Sequence, residues 1–254
     1  MCLILLALNR HPDYPLILAA NRDEFYARPT LPLHWWQEAP GLLAGQDRLN
    51  DGTWFGLTLD GRLAAVTNYR EGGSNLPDRP SRGLLTRDFL LEQHPDWELW
   101  LTANAENFNG FNLLFGTWNR LFWFSNRNPN GVPIALSNGI HGLSNHLLDT
   151  PWPKIKRGKE RLAELIHRPD FEADALLELL QDDQPAAEEE LPDTGISPEW
   201  EQLLSPIFIR SETYGTRAST VLLIDRNRQA QLIERSWTPR GDAADREQCF
   251  LLAR

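Results

Sequence analysis

Two short segments near the start of the chain set the strongest limit on its fold. Residues 2–8 read Cys-Leu-Ile-Leu-Leu-Ala-Leu and residues 16–20 read Leu-Ile-Leu-Ala-Ala, with no polar side chain on either alternating face. Successive side chains of a strand point to opposite sides of the sheet. Strands of this kind need cover on both faces, because water is unfavourable to each. His11-Pro12-Asp13-Tyr14-Pro15 between them is turn material, so the pair predicts a hairpin held inside a layered structure.

Further strands are predicted along the chain. Residues 54–59 and 62–68 flank Asp60-Gly61, a dipeptide favoured in two-residue hairpin turns. Residues 111–118, 121–125 and 133–137 have strand character, as do stretches near 206–210, 219–225, 231–236 and 249–253. Helical periodicity falls in blocks at 83–93 and 96–106, then at 155–167 and 171–181, while 71–82 is a loop. Hairpins and helix pairs in blocks, without strand–helix–strand alternation, imply an α+β fold with antiparallel sheets. Two stacked sheets with helices outside would cover the doubly apolar strands. No repeat or long linker divides the chain, and a single domain over 1–254 is expected. Residues 182–193 carry six acidic side chains and no basic one, which suits either a solvated surface loop or a lid.

The formal net charge of -10 argues against nucleic acid or an anionic membrane surface as partner, because both reward stripes of Lys and Arg. No stretch approaches the roughly 18 apolar residues of a membrane span. The opening lacks a basic leader and is broken at Asn9, Arg10, His11 and Pro12, so a soluble, untargeted, cytoplasmic protein with no integral membrane segment is expected. Cys2 and Cys249, at opposite ends of the chain, make neither a disulfide framework nor a metal pair. The six histidines lack zinc-ligand spacing, and surface roles are expected for them. There is no Gly-rich phosphate loop.

Cys2 has two readings. It is a small core hydrophobe, or it is a nucleophile exposed at the mature N-terminus once Met1 is removed. In the second case its α-amine, with a pKa of about 7.7–8.0, is a base within the same residue as the thiol. A hairpin with its tip near residue 12 places residues 22–23 beside residue 2. There Arg22 would favour the thiolate and Asp23 would hold the amine by a charge-assisted hydrogen bond. The alternative is a strand end carrying a surface ion pair. Cys249, in the apolar terminal stretch "CFLLA", is expected to be buried and unreactive.

The stretches "MCLILLALN", "AANRDEF", "LPDTGI" and "IFIRSETYGTRASTVLLI" resemble the NRDE family, named for the motif that stands here as Asn21-Arg22-Asp23-Glu24. The resemblance covers Cys2 to about Asp225 and implies the N-terminal-nucleophile hydrolase fold, a four-layer αββα sandwich. More distantly the chain is similar to bile-salt hydrolases and penicillin V acylases. Carried over by position, Cys2 matches their nucleophile, Asp23 the amine-holding carboxylate and Asn68 the oxyanion-hole asparagine. Asn138 in "ALSNG" matches a second asparagine, and Arg217 in "YGTRAST" a distal arginine. Aligned on Asp23, the arginine of those relatives falls at Ala20, and Arg22 stands where they vary.

The resemblance implies an amidohydrolase without a cofactor, acting on a linear amide or acyl compound through Cys2. Its alternative is a carrier that takes haem or another hydrophobic ligand in the same cleft, consistent with roles in lipid homeostasis or haem trafficking. A scaffold without a small-molecule site is the third reading. Trp35, Trp36 and Trp152 are candidates to line an apolar part of such a site.

Overall fold

The doubly apolar segments become neighbouring strands in a covered sheet. In the computed structural model, which describes residues 3–253, β1 (Leu3–Leu8) and β2 (Leu16–Phe25) pair antiparallel, with Leu3 opposite Asn21 and Leu8 opposite Leu16. The chain continues through β3 (Thr30–Trp35), β4 (Leu42–Asp47), β5 (Phe55–Thr58) and β6 (Arg62–Asn68). Helices α1 (Gly83–Leu90) and α2 (Trp97–Asn104) follow, then β7 (Phe111–Thr117), β8 (Arg120–Ser125), β9 (Ile134–Ala135) and β10 (Gly139–Leu143). Helices α3 (Pro153–Leu165), α4 (Ala173–Leu179) and α5 (Pro198–Leu203) precede β11 (Tyr214–Ile224), β12 (Gln229–Trp237) and β13 (Ala243–Leu251).

The strands form two antiparallel sheets, in the orders β10-β1-β2-β11-β12-β13 and β3-β4-β5-β6-β7-β8-β9. Period-2 alternation then distributes the apolar residues. Ile4, Leu6 and Leu18 meet Leu43, Phe55 and Leu114 between the sheets. Leu3, Leu5 and Ile17 turn the other way, onto Ile155 and Leu162 of α3 and Leu176 of α4. Val66 and Leu113 pack against Leu85 of α1 and Leu101 of α2 on the far side of the second sheet. The layers therefore run helix, sheet, sheet, helix. Each fully buried Leu in them is worth about 1.5–3 kcal/mol relative to exposure, so a polar residue on either face of β1 is excluded.

Several expectations are corrected. Residues 206–210 join no sheet, although 206–209 are buried; their backbone serves the neighbours, with Phe208 N donating to Asp182 O and the Ile209 carbonyl accepting from Thr216 N. β3 and β4 were not expected, because Pro32 and His34 break the apolar pattern of β3. Pro32 is tolerated because β3 is an edge strand. The register shifts between Leu31 and His34, and Leu33 N donates instead to the buried Glu234 carboxylate at 2.8 Å. Cys249 is exposed, not buried. Phe250 and Leu252 take the core-facing side of the outermost strand and its continuation, which leaves Cys249 on the opposite face. Among the described residues no helix is long and apolar enough to cross a membrane.

Candidate functional site

The hairpin register carries β2 beyond Leu3, so the motif at 21–24 occupies the end of the sheet with β11 on its other side. Thr216 lies opposite Asp23 and Ala218 opposite Arg22, and the bulge between them holds Arg217. Met1 and Cys2 lie outside the described residues, and so does the expected nucleophile.

Each member of the motif has its own direction. Asn21 is fully buried and points to the helix layer, donating from Nδ2 to the carbonyls of Leu180 and Ile207, both at 2.8 Å, and accepting from Ser219 Oγ at 2.7 Å. Three bonds make it an anchor for β2. Ala20 belongs to the core between the sheets. Arg22, two residues on, lies over the Trp54 ring at 4.2 Å in that same inter-sheet region. Burial depresses its guanidinium pKa, Glu24 opposes that shift, and the neighbouring Arg217 adds to it. Asp23 accepts from Thr216 Oγ1 at 2.6 Å, and that hydroxyl in turn accepts from Ile209 N at 2.9 Å. Glu24 lies 3.6 Å from Arg28, whose main partner is Asp47 at 2.6 Å.

Asn68 ends β6 in the facing sheet and lines two adjoining cavities. One, of about 110 Å³, also presents Arg22, Asp23, Arg28 and Arg82. The other, of about 200 Å³, is walled by Ile196, Leu204, Ile209 and Tyr214. It shares Ile196 with a cavity of about 570 Å³ lined by Leu191, Pro192 and Pro198. The Asn68 side chain makes no hydrogen bond among the described residues. Arg217 donates to the carbonyls of Phe25 and Arg28, bracing the turn after β2; burial lowers its pKa, with Glu24 opposing.

Asn138 is not brought to this place. The chain repeats Leu-Ser-Asn at 136–138 and 143–145, and β10 runs between the two copies. Gly139 pairs with Leu8 and Leu143 with Ile4, so Asn138 lies at the opposite end of β1, exposed and bonded to Asn9 at 2.7 Å. At about 3.4 Å per residue the two ends of β1 are separated by roughly 17 Å. The second copy supplies the residue that does reach the cleft. Asn145 is buried and donates from Nδ2 to the Asn68 carbonyl at 2.9 Å, while its own carbonyl accepts from Arg70 N at 2.7 Å.

Arg70 extends this support. It pairs with buried Glu201 at 2.6 Å and stacks on Trp152 at 4.8 Å. Glu201 also accepts from the backbone N–H and the hydroxyl of Thr194, in "LPDTGI". Gly72 N donates to Thr194 O at 2.7 Å, and a Cβ on Gly72 would fall 1.8 Å from the Gly195 carbonyl oxygen. Only glycine permits that approach. Thr194 and Gly195, just after the acidic stretch, thus tie this segment to the cleft, and its end forms part of the cleft wall.

Of the tryptophans expected near an apolar site, Trp152 borders the cleft through Arg70. Trp36 is buried in the outer core and Trp35 packs on Phe250. His146 bonds Thr150 and is in ring contact with Tyr69 and Trp152, while His141 is half-buried between Asp149 and the Ser137 carbonyl. Trp54, Arg70, Asn145, Glu201 and Thr216 are the supporting residues that sequence reasoning missed. Only the Leu-Ser-Asn duplication signalled one of them. No group of three or more His, Cys, Asp or Glu suited to a metal occurs among the described residues.

The chain is 34% identical over 258 residues to the Transport and Golgi organization 2 homolog of Mus musculus, covering 93% of each chain. It is 28% identical over 277 residues to Transport and Golgi organization protein 2 of Drosophila melanogaster, covering 95% of each. Among solved structures it is similar to a Caenorhabditis elegans N-acylethanolamine-hydrolyzing acid amidase ortholog, with TM-score 0.45 and 12% identity over 87% of this chain and 92% of that one. A variant of conjugated bile acid hydrolase from Clostridium perfringens matches with TM-score 0.43 and 10% identity over 98% of this chain and 97% of that one. The family model described as Transport and Golgi organisation 2 matches residues 1–239. The chain belongs to the Transport and Golgi organisation 2 family.

Proposed function

We propose that the protein is an N-terminal-nucleophile amidohydrolase acting in the cytoplasm on a linear acyl amide. The observation that carries this reading is the convergence of Arg22, Asp23 and Asn68 on one cavity at the end of the sheet where β1 begins. Cys2 is one peptide link from Leu3, which keeps its Cα about 3.8 Å from that residue's Cα. With Met1 removed, the Cys2 α-amine takes the thiol proton and Asp23, oriented by Thr216, holds the amine in place. The thiolate attacks the amide carbonyl carbon, and Asn68 donates to the oxyanion. The C–N bond breaks as the α-ammonium protonates the leaving nitrogen. Water then cleaves the thioester, giving up its proton to the amine and releasing the carboxylic acid. Arg22 supplies positive potential throughout. Loss of one oxyanion donor costs about 2.7–4 kcal/mol of barrier, so Asn68 is worth a factor of roughly 10²–10³.

The test is hydrolysis of N-acyl amides by wild type and by Asp23→Asn, alongside the intact mass of protein from its native host. Turnover that is lost in the variant, with Met1 absent from the mass, is expected. Quantitative retention of Met1, or turnover undiminished in the variant, defeats the mechanism. Tight binding of haem or an acyl ligand without hydrolysis in either protein transfers the assignment to a carrier. Haem iron takes axial His, Cys, Met or Tyr, and of these types the described cleft walls present Tyr69 and Tyr214.

A further inference from the structure

Lys154 stands where both burial and helix electrostatics oppose a cation. All three lysines of the chain lie in α3. Lys156 is exposed and Lys159 partly so, whereas Lys154 is 2% exposed. A lysine is almost never fully buried unless it is paired. Lys154 also follows the cap Trp152 and Pro153 in the first turn of the helix, where the positive end of the macrodipole disfavours it. The Leu204 carbonyl accepts from Nζ at 2.8 Å, but a carbonyl takes one of three donors and cancels no charge. Local rules broken twice at one side chain point to a role other than stability.

The packing of α3 carries that charge to one particular end of β1. Ile155 and Leu3 share the core on the helix side of the sheet. A Cβ on Gly142, which pairs with Leu5, would fall 2.8 Å from Ile155 Cγ2, and one on Gly158 would fall 2.9 Å from Leu5 Cδ1. The helix therefore crosses β1 and β10 in close contact. Its N-terminus lies at the Asn145 end of β10, because Trp152 stacks with Arg70, whose backbone N–H donates to the Asn145 carbonyl. Leu143 pairs with Ile4, so this is the end at which Leu3 stands. Leu204, which holds Nζ, also walls the cavity beside Asn68 and Asn145. Lys154 thus reaches from the helix layer the strand end that Asp23 reaches from β2. Cys2 lies outside the described residues, but one trans peptide link ties it to Leu3.

We infer that Lys154 is a positioning residue that sets the ionisation of Cys2, its ammonium favouring the thiolate over the thiol and the neutral α-amine over the protonated one. This rests on the proposed role of Cys2, and the test reads the thiol without turnover. Other charged or titratable groups face this strand end: Arg22 and Asp23 from β2, Tyr214 and Arg217 from β11, and Arg70 paired with Glu201 of α5. His146, against the Trp152 ring, has its pKa lowered by burial and so titrates below 6.5. Alkylation read at Cys2 itself, by iodoacetamide and peptide mapping across pH, keeps these groups out of the signal. With Lys154 in place the midpoint is expected about one pH unit or more below the roughly 8.5 of a free cysteine. Lys154→Met, or Lys154→Gln if that folds better, should raise the midpoint by about one unit, a tenfold loss of rate well below it. Lys154→Arg should keep most of the effect, because it keeps the charge. Lys159→Met, which removes a charge paired with Asp149 on the same helix, should leave the midpoint where it was. A merely structural Lys154 would lower the melting temperature and the rate at every pH without moving the midpoint. A midpoint at or above about 8.5 in protein whose Lys154 is untouched overturns the inference, whatever the fate of the variants. A midpoint unmoved by loss of the charge overturns it too, and leaves the hydrolase reading intact where wild type cleaves acyl amides. A midpoint that rises in protein unable to cleave any acyl amide ends the hydrolase reading and leaves the tuned thiol standing.

Discussion

Removing the Glu201 carboxylate should destabilise the protein far more than removing a surface charge. Its side chain is 4% exposed and its Arg70 partner 9% exposed, and Oε2 accepts from Arg70 Nη1 at 2.6 Å. Oε1 accepts from Thr194 N at 3.0 Å and from the Thr194 hydroxyl. Glu201→Ala abolishes three hydrogen bonds and strands the Arg70 charge against Trp152. Deleting one member of a buried pair costs about 3–5 kcal/mol, most of it the burden of the abandoned charge. For a chain of this size each kcal/mol lowers the melting temperature by about 2–4 °C, so a fall of roughly 6–20 °C is expected by circular dichroism or calorimetry. Asp245→Ala breaks the ion pair to Arg235 at 2.7 Å, but Asp245 is 45% exposed. That loss is worth about 1 kcal/mol or less. The double change Arg70→Met with Glu201→Leu leaves no stranded charge and should recover much of the loss. A Glu201→Ala fall no larger than that of Asp245→Ala refutes the reasoning. So does a double variant that loses as much as the two single changes together.

Asn145→Ala should lower both turnover and affinity for N-acyl amides, because it frees the end of β6 that carries Asn68. Asn138→Ala, which touches Asn9 at the far end of β1, should change neither, and the two are compared by kinetics and calorimetry. Asp149 accepts from His141, Lys159 and Gly142 N, and its pKa is lowered from 3.8 to about 2 even though burial opposes the shift. A depressed carboxyl stabilises the fold above its unfolded pKa and loses that contribution as pH falls toward 2. His141 is raised by the same bond, so its share is present below 6.5 and is lost as pH rises through its folded value. Asp149→Asn should therefore cost most between about pH 4 and 6.5, and little near pH 2, in melts run across that range. Asp149 is 33% exposed, which screens the cost to about 1 kcal/mol. Exposed Cys249 should be alkylated by iodoacetamide in the native state and slowly, since burial and then Glu247 raise its pKa. Peptide mapping that finds it protected would contradict the strand orientation.

Much of the fold was legible where the signal is local. Two runs apolar on both faces, joined by a turn rich in proline, specified a covered hairpin, and its tip near residue 12 set the register that puts Asn21 opposite Leu3. The Arg62–Asn68 strand was bounded correctly by its apolar run and its Asp-Gly turn. The arrival of Arg22 and Asp23 at the end of a central strand followed from the same periodicity. Tertiary structure decided the rest. Two copies of Leu-Ser-Asn are equivalent as sequence, and only the pairing of β10 with β1 sends Asn138 to one end of the strand and Asn145 to the other. Apolar content placed Cys249 in a strand, whereas its exposure depends on that strand being outermost with Phe250 turned inward. Arg70 meets Glu201, and Gly72 meets Thr194, across gaps of more than a hundred residues. Side-chain alternation is written into each short segment by backbone geometry, but which end of one strand faces which loop is settled only when two sheets stack and their covering segments close over them.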